Sequence, residues 1–157
     1  MSTDFQNPRA SARGAVNRDL KFLHLASSVA AIFSKDPNTK VGAVAVGERI
    51  NQVAIGYNGY PPGVEDDDSL YDRARKLALI LHAEENALGN ATFPVATLYT
   101  TKPPCQGCAL RILAARTVRR VVSWADDPRT TWAENQKAAA ALLTAAGIEV
   151  VVVERAA

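Results

Sequence analysis

The chain has 157 residues, of which 48% are hydrophobic and 22% charged, and its formal net charge at neutral pH is +2. These values are typical of a soluble globular domain, and we expect a flexible N-terminal arm over residues 1–16 and one domain over residues 17–155. The small charge argues against a protein that coats nucleic acid. No apolar run approaches the roughly 20 residues that cross a bilayer, and the polar N-terminus does not resemble a secretory signal, so we expect a cytoplasmic protein with no membrane partner.

The first half of the chain predicts one long helix followed by a pair of strands. In chain order these are a helix over residues 17–34, strands over 41–46 and 51–56, and a loop over 56–68. Apolar residues at helical spacing identify the helix, and Asp36 with Pro37 ends it. The two strands are short and β-branched with Gly47 between them, which indicates an antiparallel pair.

The second half alternates predicted helices and strands. They are a helix from the cap Ser69 to about residue 80, a helix after His82, a strand over 95–100, a helix over 106–116, a strand over 118–123, a helix from the cap Thr131 to Gly147, and a strand over 148–153. The last three strands are separated by helices, so we expect them to be parallel through right-handed crossovers. The predicted fold is a three-layer α/β/α sandwich around a mixed five-stranded sheet.

The two cysteines of the chain, Cys105 and Cys108, stand three positions apart behind two prolines. Disulfides are rare in the cytoplasm, so this spacing indicates a redox pair or a metal site. A metal site needs further ligands, and the chain has only two histidines, His24 and His82. His24 lies within the first predicted helix, where an ordinary packed or surface role is expected. His82, like the cysteines, stands at the start of a predicted helix.

A zinc site formed by His82, Cys105 and Cys108 would leave the fourth tetrahedral position to water, as in catalytic zinc sites. Glu84 follows His82 by two positions and would sit beside that water rather than bind the metal, with Glu85 as its competitor. The pattern H-A-E followed by P-C-x-x-C is typical of zinc nucleobase deaminases. The alternative is that the two motifs occur together by chance and that the cysteines form a redox pair.

The expected chemistry is the hydrolytic deamination of a cytosine-type ring. Zinc lowers the pKa of its water, and the resulting hydroxide attacks ring C4. Glu84 carries the water proton to ring N3 and then a proton to the departing amine, which leaves as ammonia. The backbone around Ala83 and Cys105 is expected to contact the amine or the carbonyl edge of the ring.

From about residue 18 to residue 153, the chain resembles the deoxycytidylate (dCMP) deaminases of the cytidine deaminase superfamily. The resemblance is found in SKDPNTKVGAVAV, IGYNGYPPGVEDD, HAEENAL and PPCQGCA, which span residues 34–46, 55–67, 82–88 and 103–109. The second of these segments points to the dCMP branch, whereas the last two are shared across the superfamily. The resemblance implies a hydrolase acting on a cyclic amidine, which converts the nucleotide dCMP to dUMP and assembles as a homo-oligomer, a dimer or a hexamer.

The same resemblance implies roles for residues away from the zinc. Asn58 would hydrogen-bond the sugar or the base edge, although it could instead adopt a left-handed turn conformation. Asn38 and Lys40 match a region that lines the phosphate pocket, although Lys40 could equally be a solvated residue at a strand edge. Tyr57, Asn58 and Gly59 match a loop that carries an allosteric nucleotide site in several members of the family.

Residues 123–132, SWADDPRTTW, depart from the family pattern. Trp124 or Trp132 could stack on the base and Arg129 could hold the phosphate, although a packing role is also open for Trp132. This departure leaves other cytosine nucleosides or nucleotides, including modified ones, as alternative substrates.

Two other functions fit the sequence less well. A tRNA adenosine deaminase shares the zinc motif but would need a basic surface, which the small net charge and the acidic residues 65–68 oppose. A non-catalytic zinc domain would leave Glu84 without a purpose.

Overall fold

The structure, a computed structural model, describes residues 8–67 and 72–156. In chain order its elements are helix α1 (Pro8–Phe33), strands β1 (Gly42–Val46) and β2 (Val53–Tyr57), helices α2 (Arg73–Leu79) and α3 (Ala83–Asn90), strand β3 (Thr97–Thr100), helix α4 (Gln106–Ala115), strand β4 (Arg120–Trp124), helix α5 (Ala133–Ala145) and strand β5 (Glu149–Val153). Within these described ranges, no helix has the length and apolar character needed to cross a lipid bilayer.

The five strands form one mixed sheet in the order β2-β1-β3-β4-β5. Strand β1 is antiparallel to both β2 and β3, whereas β3, β4 and β5 are parallel. The parallel arrangement follows from the helices α4 and α5, which connect those strands as crossovers. The predicted three-layer sandwich with a mixed five-stranded sheet is therefore confirmed.

The sheet separates two hydrophobic clusters. On one face α1 contributes Phe22, Leu23 and Ala26, which pack with sheet residues such as Val44 and Val122. On the other face, small and branched side chains of α3, α4 and α5 pack against the sheet. Among residues 8–67 and 72–156, α1 thus forms one outer layer, and α3, α4 and α5 form the other.

Glycines let helices approach the strands closely. A Cβ atom on Gly56 in β2 would lie only 2.4 Å from the Ala83 carbonyl oxygen and 2.2 Å from the Ala87 backbone nitrogen of α3. Gly42 in β1 faces α1 in the same way, since a Cβ atom there would lie 2.1 Å from the Ala26 carbonyl oxygen. Because no side chain fits at Gly56, the position of α3 on the sheet is set by direct backbone contact.

A buried carboxylate ties α1 to the sheet. Asp19, which is 6% exposed, accepts a hydrogen bond of 2.9 Å from the Tyr99 hydroxyl. It also accepts two hydrogen bonds of 3.0 and 2.9 Å from the Arg120 guanidinium. This bidentate pair joins α1, β3 and β4 on the side of the sheet away from the predicted zinc ligands.

The N-terminal boundary differs from the prediction. Helix α1 begins at Pro8, so residues 8–16 of the predicted flexible arm are helical. Proline is well suited to the first turn of a helix because that turn needs no amide donor, and the alanines and arginines that follow it favour helix. Residues 1–7 lie outside the described part of the chain, and the division into arm and domain stays a prediction.

Two predicted helix caps also differ. Helix α2 is capped by Asp72, whose side chain accepts hydrogen bonds from the Ala74 and Arg75 amides; the predicted cap Ser69 lies outside the described residues. Helix α5 begins at Ala133 with Trp132 at the N-cap position, where the side chain makes no capping hydrogen bond, so the predicted cap Thr131 lies one residue too early.

Candidate zinc centre and active site

His82, Cys105 and Cys108 converge at one point, with their ligand atoms within 4.8 Å of one another. The Nδ1 atom of His82 lies 3.5 Å from the Cys105 Sγ atom and 3.3 Å from the Cys108 Sγ atom. Tetrahedral zinc with ordinary Zn–N and Zn–S bonds separates such atoms by about 3.6 Å. The donor set and its spacing therefore fit a zinc ion held by one imidazole and two thiolates.

The ligands are brought together by the first turns of two helices. His82 is the N-cap of α3, and its side chain makes no capping hydrogen bond, so the ring is free to face the thiols. Cys105 is the N-cap of α4, and its Sγ atom accepts a hydrogen bond of 3.5 Å from the Cys108 amide. Helix starts favour thiolates because unpaired N–H groups point toward them.

The chain before His82 is anchored to the loop after β2. Gly59 and Leu81 exchange two backbone hydrogen bonds, of 3.1 and 2.7 Å, as in a single antiparallel bridge. On α3, Asn86 accepts a hydrogen bond of 3.0 Å from the Tyr57 amide. These contacts fix the start of α3, and with it the direction of the His82 ring.

The two thiols differ in acidity. The pKa of Cys105 is lowered to about 4, chiefly because the Cys108 side chain hydrogen-bonds to it; burial opposes this shift, and a hydrogen bond from His82 adds to it. The same hydrogen bond and burial raise the pKa of Cys108. A bound divalent cation would hold both side chains as thiolates, since metal binding displaces protons from its ligands.

Glu84 lies beside this centre. It is 5% exposed, and the Cys108 Sγ atom lies 3.5 Å from its Oε2 atom. Burial raises the pKa of its carboxyl above the ordinary value. The competitor Glu85 instead forms an ion pair of 3.6 Å with Arg111 on α4, so the geometry favours Glu84 as the acid–base group.

Two of the three candidate zinc ligands, together with Glu84, border a cavity of about 310 Å³. His82, Glu84 and Cys105 line it, whereas further walls come from the loop before β1, from α2 and from the segment after β4. Ala83, one of the predicted substrate contacts, also lines the cavity. A cavity of this size suits a small-molecule ligand.

Asn58 is buried in the cavity wall, but its amide is bonded to the chain itself. Its Oδ1 atom accepts hydrogen bonds of 2.7 Å from the Ser34 hydroxyl and 2.9 Å from the Val41 amide. Its Nδ2 atom donates to the Thr39 carbonyl oxygen at 2.8 Å. Its backbone does not have a positive φ angle, so the alternative of a left-handed turn is wrong.

Three predicted phosphate-pocket residues do not line the cavity. Asn38 and Lys40 are exposed, and the Lys40 ammonium donates a hydrogen bond of 2.8 Å to the Ser34 carbonyl oxygen. The Arg129 guanidinium pairs with Asp127 at 2.7 Å, and its side chain is 87% exposed. Local turns hold these groups outside the cavity, and the structure does not bring them to the predicted zinc ligands.

The two tryptophans lie in different places. Trp132 lines the cavity and is 39% exposed, so it is open to a ligand. Trp124 is buried in the cluster beneath α1, where its Nε1 atom donates a hydrogen bond of 3.1 Å to the Ser27 hydroxyl. A stacking role for Trp124 is therefore excluded by its packing.

The cations that do line the cavity were missed from the sequence. They are Arg73 and Lys76 on α2 and Lys102 after β3. The sequence did contain a sign of this cavity wall, because four residues have the spacing of one helix face: Arg73, Lys76, Leu77 and Ile80.

Tyr57, Asn58 and Gly59, the predicted allosteric residues, line a second cavity of about 160 Å³. Phe33 stacks on Tyr57 there, with ring centroids 5.6 Å apart. The regulatory role of this cavity stays a prediction.

Comparison with known proteins identifies the family. The family described as "Cytidine and deoxycytidylate deaminase zinc-binding region" matches residues 16–125. A probable deoxycytidylate deaminase of Caenorhabditis elegans is 38% identical over 110 residues, which are 66% of this chain and 55% of that protein. The chain thus spans about half the length of this relative.

Further similarities cover more of the chain. A protein of Aliivibrio fischeri named an uncharacterized deaminase is 33% identical over 134 residues, covering 83% of this chain and 89% of that protein. The crystal structure of a dCMP deaminase from the cyanophage S-TIM5 has a TM-score of 0.66 at 23% identity, covering 87% of this chain and 98% of that one, and it shares the fold. The motifs, the clustered zinc ligands and these matches agree: the chain belongs to the cytidine and deoxycytidylate deaminase zinc-binding family.

Proposed function

We propose that this protein is a zinc-dependent hydrolytic deaminase that converts dCMP to dUMP and ammonia. The observation that carries the proposal is the convergence of His82, Cys105 and Cys108 beside the buried carboxyl of Glu84 at the edge of a cavity. The similarity to the protein of Caenorhabditis elegans named a probable deoxycytidylate deaminase, and to the deoxycytidylate deaminase of Homo sapiens, supports the choice of dCMP.

The reaction adds water at C4 of the cytosine ring and breaks the bond from C4 to the amine. His82, Cys105 and Cys108 would hold the zinc ion, which when bound supplies Lewis-acid activation of water. The Glu84 carboxylate would take a proton from the water, give it to ring N3 and later deliver a proton to the leaving amine. Its burial keeps bulk water from competing for these transfers.

Neighbouring groups would orient the ring. Ala83 and Cys105 border the cavity beside Glu84, so their backbone would contact the amine or the carbonyl edge. Trp132 lines the same cavity and would offer its indole face to the base. The predicted homo-oligomer, dimer or hexamer, and the predicted cytoplasmic location stay predictions.

Ammonia release from the zinc-loaded protein tests the proposal. The panel is dCMP, CMP, deoxycytidine, dCTP and methylated cytosine nucleotides, and we expect the highest kcat/KM for dCMP. A preference for another cytosine compound would move the assignment to that alternative. A tRNA anticodon stem-loop serves as the test of adenosine deamination, and reaction with it alone would reject the proposal.

Replacing Glu84 by Gln tests the role of the carboxyl. Gln keeps the shape of the side chain but cannot shuttle protons, so we expect kcat to fall at least about 100-fold, the contribution typical of a general acid–base group. Bound zinc, measured by metal analysis, should be unchanged. Turnover equal to that of the wild type would reject this role, and a variant of Glu85 serves as the control.

A further inference from the structure

One face of α2 forms a wall of the active-site cavity. Its lining residues are Arg73, Lys76, Leu77 and Ile80. Their positions i, i+3, i+4 and i+7 share one side of a helix. Arg75 lies off this face, and its guanidinium reaches Asp67 at 4.0 Å instead. The helix therefore presents two cations and two apolar side chains to whatever occupies the cavity.

The cations of the cavity differ in their partners. Lys76 forms an ion pair of 3.0 Å with Asp36, and their side chains are only 12% and 2% exposed. Lys102 pairs with Asp126 at 3.6 Å. Within residues 8–67 and 72–156, Arg73 forms no ion pair with a carboxylate, so among these residues its charge is the one left uncompensated in the cavity wall.

Asp36 holds Lys76 firmly. Its Oδ1 atom accepts backbone hydrogen bonds of 2.9 Å from Asn38 and 3.0 Å from Thr39. Burial acts to raise the pKa of this carboxyl, but these bonds and Lys76 outweigh it and lower the pKa. Lys76 thus attaches α2 to the loop before β1, while Arg73, about one turn earlier, stays available to a ligand.

We propose that Arg73 is the specificity-determining residue that binds the 5′-phosphate and so distinguishes a nucleotide from a nucleoside. This inference rests on the proposed deamination of dCMP. A guanidinium can bind phosphate oxygens with two parallel hydrogen bonds, which a lysine cannot do. Because Arg73 is exposed, it can bind a phosphate without first breaking a buried ion pair.

The position of Arg73 along α2 fits the length of a nucleotide. Arg73 precedes Ile80 by seven residues, which is about 10 Å of helix, and His82 follows two residues later. The phosphate and the reacting ring carbon lie at opposite ends of a nucleoside monophosphate. A phosphate at Arg73 would therefore leave the ring near His82 and Glu84.

The test compares kcat/KM for dCMP with kcat/KM for deoxycytidine, using the zinc-loaded full chain. In Arg73→Gln the ratio should fall about 10- to 100-fold, the range of one to two charge-assisted hydrogen bonds. In Arg73→Lys the ratio should fall less, because the charge remains. The matched control is Arg75→Gln, which removes the same group from the other side of α2 and should leave the ratio unchanged.

Binding measurements separate this inference from the proposed function. The dissociation constants of dUMP and deoxyuridine are measured by calorimetry for the wild type, Arg73→Gln and Arg75→Gln. If the wild type turns over no cytosine compound, the proposed function fails, but selective loss of dUMP binding in Arg73→Gln still supports the role of Arg73. The role of Arg73 is overturned if Arg73→Gln leaves both ratios unchanged, that of kcat/KM for dCMP and deoxycytidine and that of the dissociation constants for dUMP and deoxyuridine. It is also overturned if Arg75→Gln changes these ratios as much as Arg73→Gln does.

Discussion

Asn58 lines the cavity, yet the hydrogen bonds of its amide group hold together the loop that precedes β1. Ser34, Thr39 and Val41 all bond to it. The family resemblance suggested a contact with substrate, and sequence alone could not show that three local partners already occupy this amide. We therefore infer that Asn58 shapes the cavity wall through this loop.

Asn58→Ala should destabilise the protein by about 2–3 kcal/mol, because it leaves a part-buried amide, a carbonyl and a buried hydroxyl without their partner. Ser34→Ala is the matched control: it removes one of these three contacts together with the long bond of 3.4 Å from the Asp36 amide, and it should cost about 1 kcal/mol. Urea unfolding followed by circular dichroism measures both values. Equal losses in the two variants would contradict the proposed role of the amide.

The helices α4 and α5 end in related ways with different residues. Arg116, after α4, has a φ angle of 64° and is the only described non-glycine residue with a positive φ. Gly147, after α5, has a φ angle of +86°, and its amide donates a hydrogen bond of 3.0 Å to the Thr144 carbonyl oxygen. Glycine adopts this left-handed conformation without cost, whereas arginine does not.

Arg116→Gly should raise the free energy of unfolding by about 0.5–1 kcal/mol, because it relieves the left-handed strain. Gly147→Ala should lower it by about 1 kcal/mol. A Cβ atom at Gly147 would meet nothing within 4 Å, so the loss would report backbone conformation alone. Opposite shifts in thermal unfolding support this reading, and shifts of the same sign would contradict it.

Across the chain, sequence patterns predicted the features that depend on residues close together in the sequence. The five strands were predicted. The proximity of four side chains was also predicted, because their spacing within short motifs reflects helix starts; they are His82, Glu84, Cys105 and Cys108. The residues predicted to bind phosphate, Asn38, Lys40 and Arg129, do not line the cavity, because the direction of their side chains depends on turns. Arg129 illustrates this, since its own pair with Asp127 keeps it outside the cavity.

The zinc site joins two separate parts of the chain, and this has a consequence for the stability of the entire domain. His82 follows the segment tied to the loop after β2, whereas Cys105 and Cys108 follow β3. An ion that binds only the folded arrangement stabilises it by mass action, by about 2.7 kcal/mol at a hundredfold excess over its dissociation constant. A bound ion that joins the starts of α3 and α4 should therefore stabilise both of these parts of the cavity wall.

Removing zinc with a chelator should lower the melting temperature by about 5–10 °C, and adding zinc should restore it. Glu84→Gln should show the same shift, because that carboxyl does not hold the metal. Cys108→Ser should melt at one temperature with or without chelator, since a ligand has been lost. Differential scanning calorimetry measures all three proteins, and a wild type insensitive to the chelator would show that the cluster does not bind metal in the folded state. If Cys108→Ser instead kept the full shift, the ion would have to be held by other residues.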